Sequence, residues 1–460
     1  MLPGLVQQEV QDAFSGLGYA SPLLETDFDF ALTASSNGIT AALPLAAFWQ
    51  EPHDQFSSAL AVRDLVDDEL GHVHIHLEAL AKHLWLPYLI TLARDTYKLW
   101  QPASSNDSAT AEQFFECQRG ELSGNLLQHK EMLAPARIGQ QKRRWRQAAL
   151  YGAVPDTNSF FDWAFQATED ELHKLVRRVM HLPEGATDTD QVSSAQWLLR
   201  LLAARIAWDK GSSSIPAGNR SRGADILDAA CSYPGATEQP PPGTEELADE
   251  VARQLSQTNM RALDGALLSH VIQSSALPPG IRKVWKLYPT PPHIAWEMMK
   301  SLPVETIPSE QRLVWDGTCG TGTLLVAGLE RLRAADSSTT DSKFRQRVAQ
   351  MVAGNDKQHL LSELTRIVLD LELAEPVQWR ITTASVEQTT VDTIGHEPTI
   401  VVGNPPFEAS RGKPERAITV LNHYLKLLPA SGLISVILPR TLLSGGLTAG
   451  KQLRERLLDQ

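Results

Sequence analysis

The sequence predicts an α/β fold in which the C-terminal part forms a doubly wound, mostly parallel sheet. From about residue 280, short apolar runs alternate with longer helical patterns, as parallel strands joined by crossover helices require. Two of these runs end in unusual turns, a glycine-rich segment at 316–322 and an Asn-Pro-Pro-Phe segment at 404–407. Ligands bind at the carboxyl ends of the strands in such sheets, so these two turns are where a functional site is expected.

Length and composition limit the class of protein. At 460 residues the chain exceeds one average domain, so we expect two or three. No stretch approaches the roughly 18 apolar residues of a membrane span, and the N-terminus lacks a basic region followed by an apolar core. The three cysteines lie far apart and form neither a disulfide framework nor a zinc pattern, which favours a reducing cytoplasm. The net charge of −12 argues against nucleic-acid binding through bulk charge, but local basic patches remain possible carriers of it.

Residues 1–105 are predicted to form a small α/β unit. A helical pattern opens the chain, strand-like runs follow, and an apolar run returning through Trp100 ends the unit. The segment "GHVHIHLE" places His72, His74 and His76 on one face of a strand, a spacing that could bind a metal. No cysteine or carboxylate partner is identifiable, so a half-exposed strand is favoured and no metal site is predicted. No Asp…Glu-x-Lys set is found, and we predict no cleavage activity from this unit.

Residues 111–275 are predicted to be mainly helical. The clearest helix lies in "SSAQWLLRLLAARIAWDKG", where leucine and isoleucine recur at helical spacing before a terminal glycine. Two segments interrupt the region, at 211–223 and 232–246, because both are rich in residues that break helices.

A basic segment, "QQKRRWRQ", lies within this helical region. It places Lys142, Arg143, Arg144 and Arg146 around a tryptophan. These side chains could contact nucleic-acid phosphates, each pairing adding a salt-dependent increment to binding. A solvated basic helix face explains the same pattern equally well, and both interpretations stay open.

Residues 280–460 carry the remaining motifs. In "DGTCGTG" (316–322), glycines at 317, 320 and 322 allow a sharp turn and close approach to a ligand, while the next helix directs free N–H groups at that turn. Asp356 ends the following strand, where a carboxylate can accept hydrogen bonds from ribose hydroxyls. A plain tight turn and a solvated aspartate are the alternatives for each motif alone. Their combination at neighbouring strand ends favours a nucleoside ligand.

The segment "NPPF" (404–407) follows a buried strand. Two prolines make a rigid corner with free carbonyls, so Asn404 and Pro405 offer two acceptors beside the flat ring of Phe407. Such a corner suits an exocyclic amino group on a heterocycle, because holding both hydrogens localises the nitrogen lone pair for attack on an activated methyl group. An adenine would have to be flipped out of a duplex to reach it. The alternative is an ordinary Pro-Pro turn.

The chain therefore resembles the N-6 adenine-specific DNA methyltransferases, which use S-adenosylmethionine and share a Rossmann-like sheet. "YPTPPHIAWEMM" (288–299) is similar to the family's opening motif at the methionine end of the cofactor, "DGTCGTG" to its cofactor loop and "NPPF" to its catalytic motif. The resemblance covers roughly residues 280–445, and the preceding helical region also resembles that of large restriction and phage-defence methylases. It implies that the cofactor is bound by Tyr288, Thr290, Asp316, Gly320, Gly322 and Asp356, and that Asn404, Pro405 and Phe407 are catalytic.

The sequence departs from the family pattern in three places. Gly317 stands where the family commonly has proline, which predicts a looser turn. The third strand ends with Ser385, and an acidic residue, Glu387, comes two positions later than the family's adenine contact. The family's sheet continues beyond the last strand seen here, and a DNA-reading domain usually follows. We therefore expect a C-terminally incomplete methyltransferase domain, with the rest supplied by a longer chain or a separate specificity polypeptide.

The predicted function is methylation of a flipped-out adenine in double-stranded DNA, within a bacterial restriction-modification or phage-defence system. One alternative is methylation of a protein glutamine or an RNA base, since relatives with an Asn-Pro-Pro corner act on such groups. Another is a non-catalytic subunit that binds DNA or cofactor inside a defence complex. The opening "YPTPP" motif and the large helical region favour the DNA enzyme over the smaller relatives.

Overall fold

The computed structural model of the protein describes most of the chain. Its contacts divide the chain into two compact units: the first comprises Met1–Pro183, Arg200–Tyr233 and Glu238–Ala276, and the second comprises Glu184–Leu199, Pro234–Thr237 and Leu277–Gln460. Apart from isolated positions, the described residues are 4–29, 42–50, 53–65, 84–101, 112–142, 169–170, 172–174, 188–212, 214–233, 240–256, 290–336, 341–373, 376–407 and 416–440.

The first unit is built on a six-stranded sheet with strands in sequence order. Neighbouring strands run antiparallel, except for β3 and β4, which are parallel. The first helix, α1 (Gly4–Leu17), buries Val10 and Phe14 in the core on one face of this sheet. The strands are β1 (Leu24–Asp29), β2 (Ala42–Phe48), β3 (Ser58–Asp64), β4 (Tyr88–Ala93), β5 (Thr96–Gln101) and β6 (Glu112–Gln118).

In the described part of the chain, helices follow this sheet before residue 277. The strongest amphipathic pattern belongs to Thr244–Leu255, which buries Ala248, Val251 and Leu255 on one face. The helices are α2 (Leu122–Gln128), α3 (Lys130–Leu133), α4 (Asp188–Asp209), α5 (Gly223–Cys231) and α6 (Thr244–Leu255).

The sixth strand lies beyond the end of the predicted N-terminal unit. Residues 112–118 pair with β5, with Tyr97 opposite Cys117 and Lys98 opposite Glu116. The predicted boundary at 105–111 therefore falls inside the sheet. The segment "EQFFECQ" alternates too weakly between apolar and polar residues to be predicted as a strand from the sequence. Its strand conformation depends on the pairing with β5.

The structure corrects the prediction for Lys142. Its side chain is buried, and Nζ donates hydrogen bonds to the carbonyl oxygen of Gln55 at 2.8 Å and to Oγ of Ser58 at 2.6 Å. An ammonium buried against these oxygens does not face solvent, so Lys142 is a core residue of the first unit and not an exposed phosphate contact. Arg143, Arg144 and Arg146 lie outside the described residues, as do His72, His74 and His76.

The second unit contains the doubly wound sheet that the sequence predicts. Its five strands are all parallel, in the order β11-β10-β7-β8-β9. Successive residues of β7 enter opposite cores, Val314 on one face and Trp315 on the other, so both faces of the sheet are covered. The strands are β7 (Val314–Asp316), β8 (Val352–Asp356), β9 (Arg380–Thr383), β10 (Ile400–Gly403) and β11 (Leu433–Val436).

Helices connect and cover these strands. Helix α7 begins with Pro292, whose fixed φ suits a first helical turn. The helices are α7 (Pro292–Lys300), α8 (Thr323–Ala335), α9 (Asp341–Met351), α10 (His359–Leu373), α11 (Val391–Ile394) and α12 (Arg416–Leu427). Within the described part of the chain, no helix combines the length and apolar character needed to span a bilayer.

Candidate active site

The site lies where the strand order of the second sheet reverses. From β7 the chain passes to β8 and then β9 on one side, and it returns to β10 on the other side of β7. Because the strands are parallel, the carboxyl ends of β7, β8 and β10 meet at one edge, where ligands bind in open α/β sheets.

A cavity of about 610 Å³ opens at this edge. That volume is within the range of small-molecule and cofactor sites. Three of the predicted strand-end motifs line it together. Its lining residues are Thr290, Asp316, Gly317, Thr318, Cys319, Gly320, Thr321, Thr323, Leu324, Asn355, Asp356, Lys357, Gln358, Leu361, Ser385, Val386, Asn404, Pro405, Pro406, Phe407, Arg416 and Val420.

The loop after β7 is held in a conformation that requires glycine. Gly320 has a φ of +55° and Gly322 a φ of +83°, in the left-handed region that side chains disfavour. The N–H of Gly320 donates to Oδ2 of Asp356 at 3.1 Å, and Oγ1 of Thr365 donates to the carbonyl of Gly320 at 2.9 Å. The loop is thus tied to the end of β8 and to helix α10. A ligand meets a preformed turn.

Asp316 ends β7 and is almost completely buried, with 1% of its surface exposed. Its Oδ1 accepts hydrogen bonds from the backbone N–H of Thr318 at 2.9 Å and from the Thr318 hydroxyl at 3.4 Å. Burial raises the pKa of Asp316 to about 7; the Thr318 hydrogen bonds lower it and the nearby Asp356 charge raises it. Within the cavity a cationic group would restore the ionised form.

Asp356 ends β8 beside the same loop. Its two carboxylate oxygens accept from backbone N–H groups, Oδ2 from Gly320 and Oδ1 from Gln358 at 2.8 Å. Burial raises the pKa of Asp356, and those backbone hydrogen bonds oppose the rise. Each carboxylate oxygen has a second lone pair, so Asp356 can still accept from ligand hydroxyls while it holds the loop.

The turn at Gly317 is tight, and the predicted loosening is wrong. A Cβ added to Gly317 would lie 2.7 Å from Cε1 of Tyr424, 2.7 Å from Cγ2 of Val386 and 2.9 Å from the Trp315 ring. Those distances are shorter than any real Cβ contact, so the buried neighbours leave space for glycine alone. These neighbours, chiefly Tyr424, occupy the space that a side chain would take.

The Asn-Pro-Pro-Phe corner begins at the end of β10. Nδ2 of Asn404 donates to Oγ1 of Thr290 at 3.1 Å, joining the corner to the segment two residues before helix α7. Pro405 and Pro406 line the cavity without a backbone donor. Phe407 is 49% exposed, which is high for so large an apolar side chain. Two acceptors and an accessible ring therefore face the same cavity as Asp316 and Asp356.

An ion pair closes the far side of the cavity, after β9. The guanidinium of Arg416, at the start of α12, donates to both carboxylate oxygens of Glu387, and the Ser385 hydroxyl donates to the same carboxylate. Burial alone would raise the pKa of Glu387, but the hydrogen bonds from Ser385 and Arg416 lower it. Glu387 is thus ionised and paired, and Ser385 and Arg416 line the cavity.

Most of the predicted site residues converge. Those that line the cavity are Thr290, Asp316, Gly320, Asp356, Asn404, Pro405 and Phe407. Gly322 is the residue before helix α8 and is not among the lining residues. Tyr288 lies outside the described residues. Sequence reasoning missed Thr318, Asn355, Arg416 and Tyr424. The sequence signal for Asn355 is its place next to Asp356 in "GND". In the structure its Nδ2 donates to the carbonyls of Gly317 and Ala384 and so joins two of the loops.

Comparison with known proteins finds similarity among solved structures only. No family model matches the chain, and no curated protein matches it. The chain is similar to a modification subunit assigned to a type I restriction enzyme of Vibrio vulnificus YJ016, at 16% identity and a TM-score of 0.45, covering 64% of this chain and 75% of that one. It is also similar to a type I restriction-modification methyltransferase subunit of Streptococcus thermophilus, at 14% identity and a TM-score of 0.42, covering 63% and 79%.

A third similar structure is that of DrdV in complex with DNA, at 14% identity and a TM-score of 0.37. It covers 90% of this chain and 43% of that one. At these identities and TM-scores the similarity carries no information about activity, and function is inferred from the cavity itself.

Proposed function

We propose that this protein transfers a methyl group from S-adenosylmethionine to the exocyclic amino group of an adenine flipped out of double-stranded DNA. The observation that carries the proposal is the joint placement of Asn404, Pro405 and Phe407 with Asp316 and Asp356 around one cavity of about 610 Å³. This reaction needs acceptors for an amino group, a ring on which the base can stack and carboxylates that bind a cationic nucleoside.

The residues present fit S-adenosylmethionine. Asp316 is a buried carboxyl that a ligand ammonium would keep ionised, since burial raises its pKa to about 7. Asp356 keeps lone pairs that can accept hydrogen bonds from ribose hydroxyls. Gly320 has no side chain, so a ligand can approach its backbone closely. Bound there, the cofactor would supply an electrophilic methyl group on its sulfonium.

Asn404 and Pro405 would hold the amino group of the base. Nδ2 of Asn404 donates to Thr290, which leaves Oδ1 as the acceptor of the side chain. Oδ1 and the Pro405 carbonyl can each accept one amino hydrogen, which localises the nitrogen lone pair before attack. Phe407 would stack on the extruded base and repay part of the energy of unstacking it from the duplex.

The DNA acceptor and the protein partners also belong to the proposal. Target-sequence reading would be supplied by a DNA-recognition region on a longer chain, by a separate specificity polypeptide or by other subunits of a defence system. The net charge of −12 makes a dedicated DNA-reading partner more useful, because bulk charge does not attract DNA to this chain.

Transfer of a labelled methyl group to defined acceptors tests the function. The protein is incubated with methyl-labelled S-adenosylmethionine and duplex DNA, transfer RNA or a protein extract in separate reactions. Label should enter DNA and be recovered as N6-methyladenine after digestion to nucleosides. Label in transfer RNA or protein alone would overturn the DNA assignment, and cofactor binding without transfer to any acceptor would favour a non-catalytic subunit.

A further inference from the structure

Tyr424 lies under both functional loops of the second unit. It is in the middle of helix α12 and fully buried. A Cβ added to Gly317 would lie 2.7 Å from one edge of its ring, at Cε1, and a Cβ added to Gly403 would lie 2.8 Å from the other edge, at Cε2. One aromatic ring is therefore inserted between the start of the cofactor loop and the last residue before the Asn-Pro-Pro-Phe corner.

The Tyr424 ring packs at the point where both loops leave the sheet. Strands β7 and β10 are neighbours, with Asp316 paired to Val402, so Gly317 and Gly403 leave adjacent strands at the same edge. Trp315 packs edge-on against the Tyr424 ring, with 5.1 Å between ring centroids and 71° between their planes. The ring is buried and closely packed, so Gly317 and Gly403 cannot shift towards it without displacing it.

The hydroxyl of Tyr424 continues into the site. Its oxygen lies 3.2 Å from Oγ1 of Thr318, and that hydroxyl lies 3.4 Å from Oδ1 of Asp316. Burial raises the pKa of Tyr424 well above its usual range, so the phenol stays protonated. Thr318 donates its single hydroxyl hydrogen to Asp316, which leaves the Tyr424 hydroxyl as the donor in the contact with Thr318.

We propose that Tyr424 is a positioning residue that fixes the cofactor loop against the catalytic corner and, through the Thr318 hydroxyl, orients the Asp316 carboxylate towards the cofactor. The inference rests on the proposed function, because it assigns Tyr424 a part in binding S-adenosylmethionine. It differs from a packing role in one respect: removal of the hydroxyl alone should change cofactor affinity in a protein that keeps its fold.

The test is the affinity of the full chain for S-adenosylmethionine, measured by titration calorimetry. Tyr424→Phe keeps the ring between the two glycines and removes only the hydrogen bond to Thr318. We expect its dissociation constant to rise roughly three- to tenfold, the range of one hydrogen bond.

Tyr19→Phe is the matched control. Tyr19 is also a buried tyrosine, and its hydroxyl donates to the carbonyl of Leu133 at 2.8 Å in the first unit. Its loss should lower thermal stability by a similar amount and leave the dissociation constant unchanged. A purely structural role of Tyr424 would give the same result in both variants.

A double-mutant cycle with Thr318→Val tests whether the effect of the Tyr424 hydroxyl passes through the Thr318 hydroxyl. In the Thr318→Val background, Tyr424→Phe should weaken binding no further, since the hydroxyl that relays its effect is gone. Thr318→Ser keeps the hydroxyl and should preserve the effect of Tyr424→Phe. Additive losses in the cycle would contradict the relay.

The outcomes also separate this inference from the proposed function. A wild-type protein that binds S-adenosylmethionine with an affinity equal to that of Tyr424→Phe overturns the role of Tyr424 alone. A folded wild-type protein that does not bind it overturns both.

Discussion

The side-chain amide of Asn404 donates a hydrogen bond to the hydroxyl of Thr290, with 3.1 Å between Nδ2 and Oγ1. The two residues are 114 positions apart in sequence. Thr290 precedes helix α7 and Asn404 follows strand β10, so this contact joins the segment before α7 to the Asn-Pro-Pro-Phe corner. The contact also orients the side-chain amide of Asn404. Because Nδ2 donates to Thr290, Oδ1 is the atom that can accept from a ligand.

Thr290→Val should slow methyl transfer. Valine has nearly the shape of threonine but offers no acceptor, so the Asn404 amide loses the partner that orients it. We expect the turnover number at saturating cofactor to fall about tenfold, the equivalent of about 1.4 kcal/mol. Steady-state transfer to duplex DNA measures it.

Thr290→Ser is the control for this contact, since it keeps the hydroxyl. It should retain most of the wild-type turnover. A loss in the serine variant with none in the valine variant would show that the methyl group of Thr290, and not its hydrogen bond, matters.

Asp356→Ala should weaken cofactor binding by at least about tenfold, because Asp356 both ties down the cofactor loop and accepts from the ligand. Thr365→Val removes a different tie to the same loop, the hydrogen bond to the Gly320 carbonyl, from a side chain that does not line the cavity. Calorimetric titration of both variants separates the two effects. If both weaken binding equally, Asp356 acts only on the loop.

Cofactor affinity should depend on pH through Asp316. Burial raises the pKa of this carboxyl to about 7, so it is mostly protonated below that pH and ionised above it. Only the ionised form attracts an ammonium group, and the affinity should therefore rise about tenfold between about pH 6 and about pH 8. The same titration of Asp316→Asn should give weaker binding with little pH dependence. A wild-type affinity that is constant over this range would contradict the role of Asp316.

Gly317→Ala should destabilise the second unit. The added Cβ would meet Tyr424, Val386 and Trp315 at under 3.0 Å, and overpacking of this kind costs about 1–3 kcal/mol. Urea unfolding monitored by tryptophan fluorescence measures the change.

Gly124→Ala is the matched control, because Gly124 lies in helix α2 with nothing within 4 Å of an added Cβ. That substitution should be neutral or stabilising by up to about 1 kcal/mol, since alanine favours a helix over glycine. A neutral Gly317→Ala would mean that its neighbours yield readily.

The strand ends of the second sheet could be predicted from the sequence because their signals are local. A short apolar strand followed by glycine, or by Asn-Pro-Pro, marks both the end of the strand and the chemistry beside it. Parallel order then places Asp316, Asp356 and Asn404 at one edge without knowledge of any side-chain contact.

The remaining features depend on contacts that no local pattern contains. Tyr424 has the spacing of an ordinary core residue in "AITVLNHYLKL", and only the packing against Gly317 and Gly403 distinguishes it. Lys142 looked like part of a basic surface because four cations lie close together in sequence. Its partners, Gln55 and Ser58, come from a segment more than eighty residues earlier.

The most direct test of the central claim compares cofactor binding with methyl transfer in the wild-type protein and in Asn404→Ala. The account predicts that both proteins bind S-adenosylmethionine with similar dissociation constants, because the proposed function assigns Asn404 to the base and not to the cofactor. It predicts that only the wild type converts adenine in duplex DNA to N6-methyladenine. An Asn404→Ala protein that methylates DNA at the wild-type rate would contradict it.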